Sequence, residues 1–134
     1  MGSQIDWAAL VKCAWVARES AYAPYSRFLV GAALQAKSGE IFTGCNVENT
    51  SFGLTICAER AAVFTAINAG YRNFAAIAVA ATTEEPLAPC GACRQVLSEF
   101  HPELLVCAAR HDGVHKIWTV SELVPLPFQW NLAR

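Results

Sequence analysis

A chain of 134 residues has material for one domain around one core. A net charge of -1 and a pI of about 6.3 offer no basic field to a nucleic-acid backbone. Hydrophobic residues reach 54% against 16% charged, which favours a compact protein that hides further apolar surface in an oligomer.

Residues 5–20 predict an amphipathic helix, because Trp7, Leu10, Val11, Ala14, Trp15 and Ala17 recur at helical spacing, with Ser3 or Asp6 as its cap. Residues 23–26 break it into a loop. Residues 28–36 and 41–47 read as two strands of a hairpin around a Ser38-Gly39-Glu40 turn. Residues 48–55 are polar and irregular, and Thr55 is placed to cap the next helix. That helix, residues 57–69, carries small and apolar residues that suggest burial on most sides, and Gly70 ends it. Residues 74–81 are continuously apolar, as in a central strand buried on both faces, and far too short to span a bilayer. Residues 90–100 form the next helix, with Val96, Leu97 and Phe100 inward, stopped by His101-Pro102. Strands follow at 104–109 and 114–118. Thr119-Val120-Ser121-Glu122 matches a capping box and starts a short last helix, ended by Pro125 and Pro127. Strand-helix-strand-helix-strand over residues 41–109 argues for an α/β layered fold with parallel pairing in its middle. No secretory signal opens the chain. Asp6 stands where a myristoylation motif after Gly2 needs Ser or Thr, and residues 1–4 read as an appended remnant.

The chemistry concentrates in Pro89-Cys90-Gly91-Ala92-Cys93-Arg94-Gln95 and Cys57-Ala58-Glu59-Arg60. Pro89 suits a first helical turn, where its missing N–H has no partner in any case. Residues three apart share a helix face, so Cys90 and Cys93 grip one ion. The positive end of the helix dipole favours their thiolates. Cys57 supplies a third sulfur from another segment. Three thiolates suit zinc, at about 2.3 Å each. No fourth cysteine is spaced to join them. Three protein ligands with one open position describe a catalytic zinc, whose bound water has a pKa near ~7. A disulfide scaffold is possible on cysteine count alone, but Cys-x-x-Cys without a signal favours metal and a reducing compartment. Cys13, Cys45 and Cys107 lie in apolar segments and read as buried core thiols. Glu59, two residues after Cys57, is placed to take a proton from a zinc-bound water and hand it on. The plainer reading, an acid favoured at a helix N-terminus, competes with it. Arg60 and Arg94 follow the ligand segments closely and are expected to offset the thiolate charge through hydrogen bonds to sulfur, against the alternative of ordinary surface arginines.

Those two segments resemble the signatures of cytidine deaminases of the small, homotetrameric, three-cysteine zinc type. The resemblance extends to Tyr22-Ala-Pro24-Tyr25-Ser26-Arg27-Phe28-Leu-Val30-Gly31-Ala32-Ala33-Leu34 and to Gly44-Cys45-Asn46-Val47-Glu48-Asn49, and runs from about residue 5 to residue 128. It implies a three-layer α/β/α sandwich on a five-stranded mixed sheet. It implies one Zn²⁺ per chain on Cys57, Cys90 and Cys93, with Glu59 as catalytic proton shuttle. It further implies a pyrimidine nucleoside held by Phe28, Asn46, Glu48, Ala58 and Phe128. The amide and carboxylate of Asn46 and Glu48 bracket a sugar hydroxyl as donor and acceptor. The reaction implied is deamination of cytidine and deoxycytidine to uridine and deoxyuridine, in cytoplasmic pyrimidine salvage. No nucleic acid or membrane takes part. The assembly implied is a homotetramer whose neighbouring chains complete each site, with Phe128 as the C-terminal aromatic that reaches across. The chain departs from the family at Thr50-Ser51-Phe52-Gly53-Leu54, where a small residue and Tyr-Pro are usual, and at its end, Leu123-Val124-Pro125-Leu126-Pro127-Phe128-Gln129-Trp130. Two rival readings stand beside this one. One is a related deaminase of a different substrate, such as an aminoacylnucleoside antibiotic. The other is a structural zinc module, which needs His101, His111 or His115 as a fourth ligand.

Overall fold

The computed structural model describes residues 4–130. Helix α1 spans Trp7–Arg18, and Asp6 Oδ1 caps it by accepting from the Ala9 amide at 3.1 Å. Ser3, the other expected cap, lies outside the described residues. Strands β1 (Val30–Ala36) and β2 (Ile41–Cys45) form the expected hairpin. Both are shorter than the apolar pattern suggests. Phe28 precedes β1, and Val47 leaves β2 to make single bridges to Tyr22 and Ile56.

Helix α2 (Ala58–Asn68) is capped by Cys57, not by Thr55, whose hydroxyl instead accepts from the Asn49 amide at 3.3 Å. Gly70, at φ 96°, closes it. The Tyr71 amide reaches the Ala66 carbonyl and the Gly70 amide the Ile67 carbonyl, a turn that needs a left-handed residue. Burial on most sides is not found. One face (Ala58, Glu59, Ala62, Val63, Ala66) is buried, while Phe64 is exposed.

Strand β3 (Phe74–Ala81) leads to α3 (Gly91–Ser98), and β4 (Leu105–Ala109) and β5 (His115–Thr119) lead to α4 (Val120–Leu123). Cys90 is the N-cap of α3, so Pro89 stands one residue outside the helix rather than in its first turn. The capping box at α4 is present, with Thr119 and Glu122 bonding each other's backbone. Among the other thiols Cys107 is buried, but Cys13 and Cys45 are partly exposed.

The sheet order is β2-β1-β3-β4-β5, with β3 and β4 parallel and the other pairs antiparallel. Alternation along each strand feeds two cores. Ala33, Ala76, Ala78, Ala80 and Cys107 face Leu10 and Ala14 of α1. Ala32, Leu34, Ile77 and Val106 face Ala62, Val63 and Ala66 of α2, Leu97 of α3 and Val120. The result is the α/β/α sandwich on a five-stranded mixed sheet.

Two glycines let the helices lie this close. A Cβ on Gly31 would meet the Ala14 carbonyl oxygen at 1.9 Å, and one on Gly44 would meet the Ala62 nitrogen at 2.4 Å and the Ala58 oxygen at 2.6 Å. Gly44 therefore sets how closely the first turn of α2 approaches the sheet.

The topology also dictates where the helix starts fall. β1 is antiparallel to both β2 and β3, so β2 and β3 run the same way. α2 follows β2 and α3 follows β3, so both helices begin at the same edge of the sheet. This is the carboxyl edge of those strands, where α/β folds place their sites. The amino end of β1, with Phe28 just before it, reaches that edge too.

Candidate active site

The sulfurs of Cys57, Cys90 and Cys93 lie within 4.8 Å of one another. Cys57 and Cys90 are the N-caps of α2 and α3, and Cys93 is the third residue inside α3. Two helix N-termini thus aim their free amides and positive dipole ends at one cluster, which favours thiolates there. Cys57 Sγ and Cys90 Sγ are 3.8 Å apart. Two sulfurs bound tetrahedrally to one zinc at about 2.3 Å stand about 3.8 Å apart, so the spacing fits that ion. Among the described residues no histidine joins the cluster, which removes the fourth protein ligand that a structural zinc module requires.

Charge around the cluster is arranged for anionic sulfur. Arg60 Nη2 donates to Cys57 Sγ at 3.4 Å, and its buried Nε has no partner among the described residues. A hydrogen bond from Cys93 and the Arg60 guanidinium bring the Cys57 thiol down to about 5, while Cys93, donating to Cys57 in a buried place, holds its proton more tightly. A bound divalent ion deprotonates such thiols outright. Arg94 differs from expectation. Its Nε donates to the Pro89 carbonyl at 2.7 Å and its Nη1 to the Leu123 carbonyl at 3.3 Å. It therefore clips the turn before Cys90 to the end of α4 and makes no hydrogen bond to sulfur among the described contacts.

Glu59 is the second residue of α2 and only 5% exposed. Burial, with the nearby Cys57 charge, raises its carboxyl to about 7. A carboxyl poised there exchanges protons readily at neutral pH. Ala58, beside it, is fully buried.

Phe28, Asn46 and Glu48 come together through hydrogen bonds that their sequence positions do not announce. Asn46 Oδ1 accepts from the Val30 amide at 2.9 Å, and its Nδ2 donates to the Phe28 carbonyl at 2.8 Å. Glu48 Oε1 accepts from the amides of Tyr25 and Ser26 at 2.9 and 3.1 Å, and Ser26 Oγ donates to Glu48 Oε2. The Ser26 hydroxyl holds the Glu48 carboxyl below its ordinary range. An open cavity of about 370 Å³ lies here, lined by Tyr25, Ser26, Glu48, Phe52 and Thr55. The bridges from Val47 to Tyr22 and to Ile56 hold this segment one residue from Cys57. Sequence reasoning passed over Ser26; the available signal was a serine two residues before Phe28 in a turn, where hydroxyls bond nearby amides. Phe128 is 72% exposed, and its carbonyl accepts from Gln95 Nε2 at 3.4 Å.

Comparison with known proteins agrees with this geometry. Residues 6–109 match the family described as the cytidine and deoxycytidylate deaminase zinc-binding region. The chain is 51% identical over 125 residues to a cytidine deaminase of Halalkalibacterium halodurans, covering 92% of this chain and 95% of that protein. It superposes on the crystal structure of a cytidine deaminase from Burkholderia pseudomallei with a TM-score of 0.90 at 51% identity, over 92% of this chain and 100% of that one. A cytidine deaminase structure from Mycobacterium tuberculosis gives a TM-score of 0.83 at 41% identity, over 95% and 100%.

Proposed function

The chain belongs to the cytidine and deoxycytidylate deaminase family, and from that premise we propose that it hydrolyses cytidine and deoxycytidine to uridine and deoxyuridine with release of ammonia. The observation that carries this reading is the convergence of three thiols on two helix starts, beside a buried carboxyl that titrates near neutrality. Cys57, Cys90 and Cys93 hold one zinc per chain, and Arg60 offsets the negative charge that three thiolates leave there. When bound, zinc supplies a water activated at neutral pH. Glu59 carries protons one at a time within the site, first from the attacking water to N3 of the pyrimidine, then from the oxygen added at C4 to the departing amine. Its burial excludes solvent from the carboxyl and keeps that proton in the site. Phe28 lies against the base, Ala58 backs the base's site beside Glu59, and Asn46 and Glu48 take the sugar hydroxyl.

Binding at the sugar fixes the base in its reacting position, so losing the sugar lowers kcat as well as affinity. Ammonia release from cytidine, deoxycytidine, cytosine and adenosine tests the reading. The two cytosine nucleosides are expected to react far faster than free cytosine, and adenosine not at all. Equal kcat/KM for cytosine and cytidine contradicts it.

The protein works as a homotetramer in the cytoplasm, in pyrimidine salvage, without nucleic acid or membrane partners. Six free thiols suit a reducing compartment. An apolar groove of about 570 Å³ runs between α2 and α3, lined by Val63, Phe64, Ile67, Val96 and Phe100. Beyond it, Leu126, Phe128 and Trp130 are exposed by 93%, 72% and 73%. Neighbouring chains cover this surface by closed, symmetric contacts, and Phe128 completes a neighbour's site. Phe128→Ala should keep zinc yet weaken substrate binding, assembly, or both. Sedimentation checks the wild type; a fully active monomer at micromolar concentration rules this assembly out.

A further inference from the structure

The peptide carrying Phe28 is fixed from both sides. Its carbonyl accepts from Asn46 Nδ2 at 2.8 Å, and its amide donates to Ser26 Oγ at 3.0 Å. The same Ser26 hydroxyl gives its proton to Glu48 Oε2, so one oxygen joins the carboxylate to the aromatic residue. Glu48 Oε1 in turn holds the amides of Tyr25 and Ser26. Arg27, between Ser26 and Phe28, sits at φ 59°, a left-handed conformation that a non-glycine residue keeps only where its surroundings impose it. The exposed turn gives Ser26 no packing duty that would explain this arrangement.

We propose that Ser26 is a positioning residue whose hydroxyl locks Phe28 to Glu48, so that the group against the base and the group on the sugar move as one unit. This rests on the nucleoside reading of the site given above. A carboxylate has lone pairs for more than one donor per oxygen, so Glu48 takes a sugar hydroxyl while Ser26 keeps it oriented. Without the bridge each group finds its substrate contact separately. Misplacement of the base then lowers kcat as well as raising KM.

The test compares wild type, Ser26→Ala, Ser26→Thr, Phe28→Ala and the Ser26→Ala/Phe28→Ala double variant, all zinc-loaded, by kcat and KM on cytidine and by amide exchange at Phe28. Ser26→Ala should lower kcat/KM by about tenfold or more, the worth of one charge-assisted hydrogen bond, with zinc content unchanged. Ser26→Thr, which keeps the hydroxyl, should recover to within about threefold of wild type. In the double variant the serine change should cost clearly less than it does alone, because part of its effect runs through Phe28. The proposal is overturned if Ser26→Ala keeps wild-type kinetics, if Ser26→Thr is no better than Ser26→Ala, or if the two losses multiply as independent effects. A wild type that releases no ammonia from cytidine sinks the nucleoside reading instead. Amide exchange then decides the bridge alone: faster exchange at Phe28 in Ser26→Ala supports it, and unchanged exchange overturns it.

Discussion

Glu59→Gln should keep zinc and fold but lose most turnover, by about 10²–10⁴-fold, the usual worth of a positioned proton-transfer group. The glutamine preserves shape and polarity and removes only the titrating oxygen. Zinc content and kcat on cytidine, measured on the same sample, check this; a variant retaining more than about a tenth of the wild-type rate is incompatible with a shuttle of that size. The same substitution has a second signature in the metal-free protein. Burial raises the Glu59 carboxyl from its ordinary 4.5 to about 7. Between those values the folded chain keeps a proton that the unfolded chain has lost. This contribution therefore erodes stability as pH rises from about 4.5 to about 7, and the loss stays constant above that. Glu59→Gln removes this erosion, a gain on the order of 3 kcal/mol at pH 8 relative to pH 4 when compared with wild type. Thermal melts of the two metal-free proteins across that range read it as a difference of differences. Groups distant from Glu59 contribute to both proteins alike.

Cys93→Ala should abolish zinc binding and activity together. Cys93 is fully buried at the first turn of α3, where no water-exposed group can substitute for it. The three sulfurs come from two helix starts, so the metal ties α2 to α3, and its loss should also lower the melting temperature. Cys90→Ala should behave alike in metal content. The loss of affinity should exceed the roughly 10–100-fold typical of removing a partner behind the ligands. Full zinc occupancy in either variant, by metal analysis after dialysis, refutes the ligand assignment.

Much of this site was readable in the chain itself. The Cys-x-x-Cys spacing and the Cys57-Ala58-Glu59 run depend only on local helix geometry, and α3 and α2 form where those residues demand it. The hairpin was readable because Gly39 and its polar neighbours leave the chain little choice but to turn. Errors arose where tertiary partners override local pattern. Thr55 has the chemistry of a cap, yet the bridge from Val47 to Ile56 pulls that segment straight, and the helix starts at Cys57. Val47 continues an apolar alternation, but Asn46 turns inward to hold the Phe28 and Val30 backbone, which ends the strand at Cys45. Arg94 sits beside a ligand in sequence while its guanidinium reaches Leu123, a contact 29 residues away that no local rule supplies. The close approach of α2 to Gly44 is of the same kind: a glycine in a strand signals proximity of something, and only the fold says of what.

The proposed reaction requires that water replace the amine of a cytosine nucleoside. Mass spectrometry of the product formed from cytidine by the zinc-loaded protein in heavy-oxygen water reads this directly, with ammonia counted in the same reaction. Uridine carrying one solvent oxygen in its base, with one ammonia per uridine, is the predicted result. Unreacted cytidine, or ammonia released without solvent oxygen in the base, would contradict it.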